Sequence, residues 1–371
     1  MFRPTCYFLA SESVFILTKG RHMTITAVEK ADNRPTLLRR EKIERVLAYG
    51  LLLAAAVWLL WNLVAAPVQF ANVTLGGIRT GAIYALVALG YTLVYGIIEL
   101  INFAHGDLFM LGSVFSALIL VNFFGAGTGS PKDWALMILT LVIVMAMCAG
   151  MNVAAEFIGY RRLRRAPKLA PLITAVGISF IFQWLGIVLN GSAPKSWPKV
   201  IPNGGIHFGN VILDYSTIVV IAVTLPLLAL MTYLVQQTRQ GKAMRATAQD
   251  QDAARLMGIN VNRTISFTFG LGGAMAGAAG LLYLETFGTT RYDAGFQLGL
   301  MAFTAAVLGG IGNLKGAVVG GFIIGVIQAW NDGLPHGLGQ QWSQSVVFTI
   351  LILLMVFKPE GLYGKPTVEK V

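Results

Sequence analysis

The chain has 371 residues, 56% of them hydrophobic and 12% charged, with a mean hydropathy of +0.68. A soluble domain carries about 25% charged residues, so the composition excludes one and points to an integral membrane protein. The formal net charge of +11 does not argue for nucleic acid, because the basic residues sit in short loops beside apolar runs, where the positive-inside rule places them.

Residues 1–45 read as a cytoplasmic N-terminal extension without fixed structure. Their apolar patch, Tyr7–Ala10 and Val14–Leu17, is broken by Ser11, Glu12 and Ser13. It falls short of the roughly 20 apolar residues a span needs, and it makes a poor signal peptide. Met23 offers a second start. Arg34, Arg39, Arg40, Lys42 and Arg45 precede the first span and favour an inside N-terminus.

The apolar runs within 46–357 form the membrane domain. In order they are Val46–Ala66, Thr74–Leu100, Gly106–Phe124, Trp134–Phe157, Leu169–Asn190, Val211–Val235 and Thr264–Phe287. A broken pair follows, Gln297–Ile311 and Gly316–Asn331, and then Ser343–Phe357. Gln297–Ile311 is about 15 residues, short for a span. The pair therefore reads either as two crossings, giving ten, or as a re-entrant hairpin beside eight, and the hairpin is the favoured form. Irregular backbone at that depth needs protein or a watery cavity around it. The expected fold is all-α, a polytopic bundle of about eight crossings plus a re-entrant helical hairpin.

Walking the spans from an inside N-terminus places three basic regions inside. These are Arg161–Lys168, the loop 236–263 and the tail 358–371. The Arg-poor loops Phe124–Asp133 and Asn190–Tyr215 fall outside. Gly273/Gly277, Ala276/Gly280, Gly316/Gly320 and Gly321/Gly325 have the small-x-x-x-small spacing that lets helices approach closely, and ordinary bundle packing explains them.

No catalytic chemistry is legible. Cys6 and Cys148 build no disulfide framework, and Cys148 reads as a small packing residue. The four histidines are scattered, and no His/Cys group has zinc spacing. Gly310-Ile-Gly312-Asn-Leu-Lys-Gly316 lacks the Gly-Lys-Ser/Thr ending of a phosphate loop. No cofactor and no metal are expected. A few polar residues lie at membrane depth, where they mark paths and bundle interiors. Glu99, Asn102, His105 and Asp107 form a polar break between the second and third runs. It reads as the lining of a gate or path, or as a solvated turn at the inner surface. Gln328 in the hairpin belongs to the same candidate set, and Gln183 lies in the fifth run. Arg79 and Glu285 read as snorkelling residues at the interface.

The longest polar, basic stretch between two apolar runs is Gly241–Arg263. Within it Asp252-Ala253-Ala254-Arg255-Leu256-Met257-Gly258 fits the pattern acidic-Ala-Ala-x-x-x-Gly. By itself this is either a solvated amphipathic helix or a docking segment, with Gly258 as the left-handed C-cap. The pattern resembles the loop by which membrane subunits of ABC importers dock onto their ATPases.

Gly90-Tyr-Thr-Leu-Val-Tyr-Gly-Ile-Ile-Glu-Leu-Ile-Asn-Phe-Ala-His-Gly-Asp107, with Met110-Leu-Gly112, resembles the N-terminal signature of branched-chain amino acid ABC transporter permeases of the LivH type. Ala305–Gly312 is similar to their C-terminal signature, and Lys358-Pro-Glu-Gly-Leu-Tyr-Gly364 to their tail. The likeness runs from about Val73 to Gly364. Lys358, Tyr363 and Lys315 depart from the usual pattern, Asp252 replaces a Glu, and the Ile-x-Leu-Pro ending is missing.

The resemblance implies a type II-like importer permease without activity of its own. Its partners would be a second homologous permease, two ATPase subunits and a periplasmic binding protein, in a bacterial inner membrane with both termini cytoplasmic. The docking residues would be Asp252, Ala253, Ala254, Arg255 and Gly258, and the outer loop Asn190–Tyr215 would meet the binding protein. The implied cargo is a branched-chain or related hydrophobic amino acid. Urea or a short-chain amide is the alternative, and an ion-coupled secondary transporter the remote one.

Overall fold

The computed structural model describes residues 18–19, 22–23, 49–50, 53–98, 102–127, 129–164, 166–167 and 169–364. The chain divides into residues 1–58 and 59–371. In the first unit β1 (Thr18–Lys19) pairs antiparallel with β2 (His22–Met23). The remainder of the extension 1–45 lies outside the described residues.

A short apolar helix α1 (Leu53–Ala65) contains the point of division. The second unit is a helix bundle, in which α2 (Pro67–Ile98), α3 (Ala104–Phe123), α4 (Pro131–Leu163), α5 (Leu169–Asn190) and α6 (Tyr215–Gln237) follow. Two short helices, α7 (Arg239–Gln249) and α8 (Gln251–Leu256), precede α9 (Val261–Phe287), α10 (Ala294–Gly309), α11 (Leu314–Gly333) and α12 (Gln340–Phe357). Among the described residues 8 helices are long and apolar enough to cross a membrane. A 20-residue helix reaches about 30 Å. The number agrees with the expected eight, but the set differs: α11 qualifies, whereas the described part of the first run, α1, is shorter. The run expected from Val211 begins instead as β5 (Val211–Asp214), and its helix starts at Tyr215.

Local signals set the ends. Ser130 and Asp133 form a capping box on α4, with Pro131 at the first helical position. Asn260 caps α9 by accepting from Arg263 N–H at 3.1 Å, and Gly288 closes that helix at φ +65°.

Helices α2, α3 and α9 are largely buried at the centre, with α4, α5, α6 and α12 more exposed around them. Small residues make this close packing possible. A Cβ on Gly321 would lie 2.5 Å from Ala85 Cα, fixing α11 against α2. One on Gly280 would lie 2.5 Å from Ser113 N, and one on Gly273 2.5 Å from the Cys148 carbonyl oxygen. Cys148 is buried there as a packing residue.

Helices α10 and α11 form a helical hairpin around Gly310–Asn313, with α11 itself of membrane-crossing length. Asn313 Oδ1 caps α11 by accepting from Lys315 N–H at 3.1 Å and Gly316 N–H at 3.2 Å. The tail folds back on the tip: Leu362 N–H donates to the Leu308 carbonyl at 2.9 Å, and Tyr363 N–H to that of Gly309 at 3.0 Å. Lys315 is exposed, so its charge at the tip carries no burial cost.

The loop 191–214 is ordered by three devices. Strand β3 (Lys195–Ser196) pairs with β6 (Thr289–Thr290), and β4 (Gly205–Phe208) with β5. Glu285, 0% exposed, accepts from Val200 N–H at 3.0 Å and Ile201 N–H at 3.2 Å. Arg79 pairs with Asp214 at 2.9 Å. Neither residue snorkels free, contrary to the reading from sequence. Glu285 ties the loop to the end of α9 and Arg79 ties it to α2, pairings across 84 or more residues that position alone does not reveal.

Candidate functional site

Two regions carry the candidate residues. The first is the polar loop 236–263. Thr238 Oγ1 caps α7 by accepting from Gly241 N–H at 3.0 Å. Asp250 then breaks the helix in extended backbone, and its Oδ1 accepts from Asp252 N–H at 2.8 Å and Ala253 N–H at 3.0 Å. Asp250, which the sequence pattern passes over, is therefore the N-cap of α8.

The far end of α8 is a Schellman closure. Ile259 N–H donates to the Ala254 carbonyl and Gly258 N–H to that of Arg255, both at 3.0 Å, and Gly258 has φ +82°. Of the pattern residues, Ala254 is buried and fixes α8 to the bundle. Asp252 and Arg255 pair with each other at 2.9 Å on the exposed side. Leu256 is 90% and Met257 83% exposed, the most exposed large apolar side chains among the described residues. The sequence reading assigned these two no role. The available signal was two apolar residues ending a polar loop just before a Gly.

This loop is clamped to α4. Backbone of π-helical form runs over Glu156–Tyr160, a local change that recurs at functional sites. It presents the Glu156 carboxylate, 0% exposed, to Arg161 at 3.1 Å, to Arg164, and to the Ser266 hydroxyl of α9 at 2.6 Å. Arg164 also donates to Asn262 Oδ1 at 2.7 Å. Burial lowers the basicity of the Arg164 guanidinium, and the Glu156 charge opposes that effect.

The second region is the break between α2 and α3. Glu99 lies outside the described residues. Asn102, His105 and Asp107 are all buried, which rules out the solvated-turn reading of these three. Asn102 Oδ1 accepts from the Tyr160 hydroxyl at 2.7 Å. The His105 ring packs edge-on to Tyr91, centroids 4.7 Å apart, against Gly90, where a Cβ would overlap it. The start of α3 therefore sits beside the C-terminal half of α2 within the bundle. Asp107 accepts from the Ser179 hydroxyl and from Gln183 Nε2, the latter at 3.2 Å.

Ser179 and Gln183 line a half-open cavity of about 630 Å³ together with Phe103, Val176, Phe180, Asp293, Phe296, Gln297 and Gln344. Gln328 is not part of this cluster. Its Oε1 accepts from the Tyr84 hydroxyl at 2.7 Å in a second cavity of about 310 Å³, which meets the first at Gln297. Ser179 escaped the sequence reading because a lone Ser in an apolar run is unremarkable. Among the described residues no group of three or more His, Cys, Asp or Glu is placed to hold a metal ion.

The family model described as branched-chain amino acid transport system / permease component matches residues 73–356. The high-affinity branched-chain amino acid transport system permease protein BraD of Pseudomonas aeruginosa is 37% identical over 300 residues, covering 80% of this chain and 96% of that protein. The permease protein LivH of Escherichia coli K12 is 37% identical over 302 residues, again 80% and 96%. A probable LivH of Methanocaldococcus jannaschii is 27% identical over 304 residues, 78% of this chain and 91% of that one. No solved structure matches.

Proposed function

Because this chain belongs to the family of branched-chain amino acid transport permease components, we propose that it is the membrane subunit through which an ATP-driven importer passes branched-chain amino acids. It is a multi-pass membrane protein of an ABC importer family, whose members work with ATPase and substrate-binding partners. In our reading it forms half of the path, beside a second homologous permease. Two ATPases on the cytoplasmic side carry out all ATP hydrolysis, and a periplasmic protein delivers cargo to the outer loop 191–214. The membrane is a bacterial inner membrane, with both termini on the cytoplasmic face. The relatives named above favour this cargo over urea or a short-chain amide.

The observation that carries the reading is α8. It is a capped helix set outside the membrane-length helices, held by Ala254, and it presents Leu256 and Met257 to solvent. Exposed apolar side chains on a fixed polar platform suit a protein pocket, where burying each contributes roughly 1.5–3 kcal/mol. Asp252, Ala253, Arg255 and Gly258 set the shape of that platform. The clamp from Glu156 to Asn262 gives a physical route by which a push on α8 reaches α4. Asn102, His105, Asp107 and Gln328 belong to the path side of the machine.

The test is the double variant Leu256→Asp/Met257→Asp, purified from cells that also produce the second permease and the ATPases. We expect the ATPase subunits to co-purify at least tenfold less, with the membrane helices still folded. Undiminished co-purification together with normal ATP-dependent leucine uptake would refute the docking role.

A further inference from the structure

We infer that the cavity beside Asp107 is a transit subsite for an amino acid with an aliphatic side chain, and that it takes the α-ammonium group on Ser179 and Gln183. The inference rests on the importer reading above and goes further, by naming the contacting atoms.

Asp107 is 1% exposed. Its hydrogen-bond donors are the Ser179 hydroxyl and Gln183 Nε2, both neutral. Among the described residues no Lys, Arg or His forms an ion pair with it. Gly295 of α10 packs directly on it, and a Cβ there would lie 2.7 Å from Asp107 Cα. A buried charge is costly unless paired, and the two donors of this one both line the cavity.

Those donors are oriented in a way that matters. Ser179 directs its O–H, and Gln183 its amide N–H, back to Asp107. That leaves the Ser179 Oγ lone pairs and the Gln183 Oε1 as acceptors for a group in the cavity, beside the second Nε2–H of Gln183. A negative charge behind a hydrogen-bonded pair polarises it and strengthens those acceptors. An ammonium group has three donors and no acceptor, and it fits such a wall.

The remaining walls fit the rest of the molecule. Val176, Phe180, Phe103 and Phe296 are apolar, while Gln297 of α10 and Gln344 of α12 bring carboxamides whose N–H groups suit a carboxylate. The carboxylate in the lining itself, Asp293, is paired with Arg291 at 2.7 Å. The second cavity's carboxylate, Asp332, has the same kind of neutral donors, Ser343 and Asn331, but it is exposed, so solvent already meets its charge. In this arrangement Ser179 and Gln183 touch the ligand, and Asp107 is a positioning residue that acts through them.

The test uses the complete importer in proteoliposomes, with leucine and a diazirine-bearing leucine as probes. Illumination during ATP-driven uptake should leave adducts on the peptides carrying Val176, Phe180 or Phe296. Asp107→Asn and Gln183→Leu should each lower leucine uptake and cavity adducts at least tenfold, with ATPase subunits still bound. Adducts confined to other segments, or uptake within twofold of wild type in both variants, would overturn the subsite and leave the importer reading intact. Absence of leucine uptake by the wild-type complex would overturn both. If Asp107→Asn fails to assemble, Gln183→Leu, altered at the cavity wall, decides by the same two readings.

Discussion

Glu156 and Asp107 are both carboxylates shut off from solvent inside a membrane-type bundle, yet their surroundings are opposite. Glu156 is surrounded by two arginines and a serine that join the end of α4 to the start of α9. Asp107 has a serine and a glutamine, and behind them a cavity. A carboxylate already neutralised by its own chain can only hold parts together. One held by neutral donors keeps its charge available to whatever enters beside it. In the reading proposed above, the pair separates the coupling end of this permease from its path, on residues of the same chemical class.

Removing charge at the Glu156 clamp should have the largest effect. Glu156→Gln leaves Arg161 and Arg164 without their partner, and losing one side of a buried pair costs about 3–5 kcal/mol. We expect the detergent-solubilised protein to lose most of its thermal stability. Adding Arg164→Gln should restore part of it, because the unpaired charge goes too. If the single variant melts like wild type, Glu156 is not a clamp.

Glu285 is the intermediate case, because its carboxylate is held by two backbone amides. Charge-assisted bonds of this kind contribute about 1.5–3 kcal/mol, so Glu285→Gln should destabilise less than Glu156→Gln. Proteolysis should find the change first in 191–214, the loop that these amides anchor. Asp107→Asn should be the mildest of the three, within about 1 kcal/mol of wild type, since it removes a charge that has no ionic partner. The same melting series reads it. A stability loss at Asp107 equal to that at Glu156 would erase the distinction between clamp and path.

The sequence made some of this visible and not the rest, for physical reasons. Membrane-length helices are legible because lipid demands long apolar runs whatever packs against them. The hairpin showed through the glycines at Gly309–Gly316, and α8 through Asp252–Gly258, since αL backbone at a helix end selects Gly. The partners of the buried carboxylates were not legible. Glu156 reaches Arg161 across a π turn rather than at the usual i+4 spacing, and no periodicity announces that turn. Asp107 meets Ser179 across 72 residues, so its donors appear only once α3 lies against α5. Arg79 and Glu285 looked interfacial by position and proved to be loop anchors for the same reason.

In the proposed function this chain is a passive conduit driven by ATPase partners. The most direct measurement is radiolabelled leucine uptake into proteoliposomes holding the chain, with ATP, the ATPases, the second permease and the binding protein each omitted in turn. Accumulation only when all are present is the predicted result. Concentrative uptake by the single chain on an ion gradient, with no ATPase in the vesicle, would contradict it.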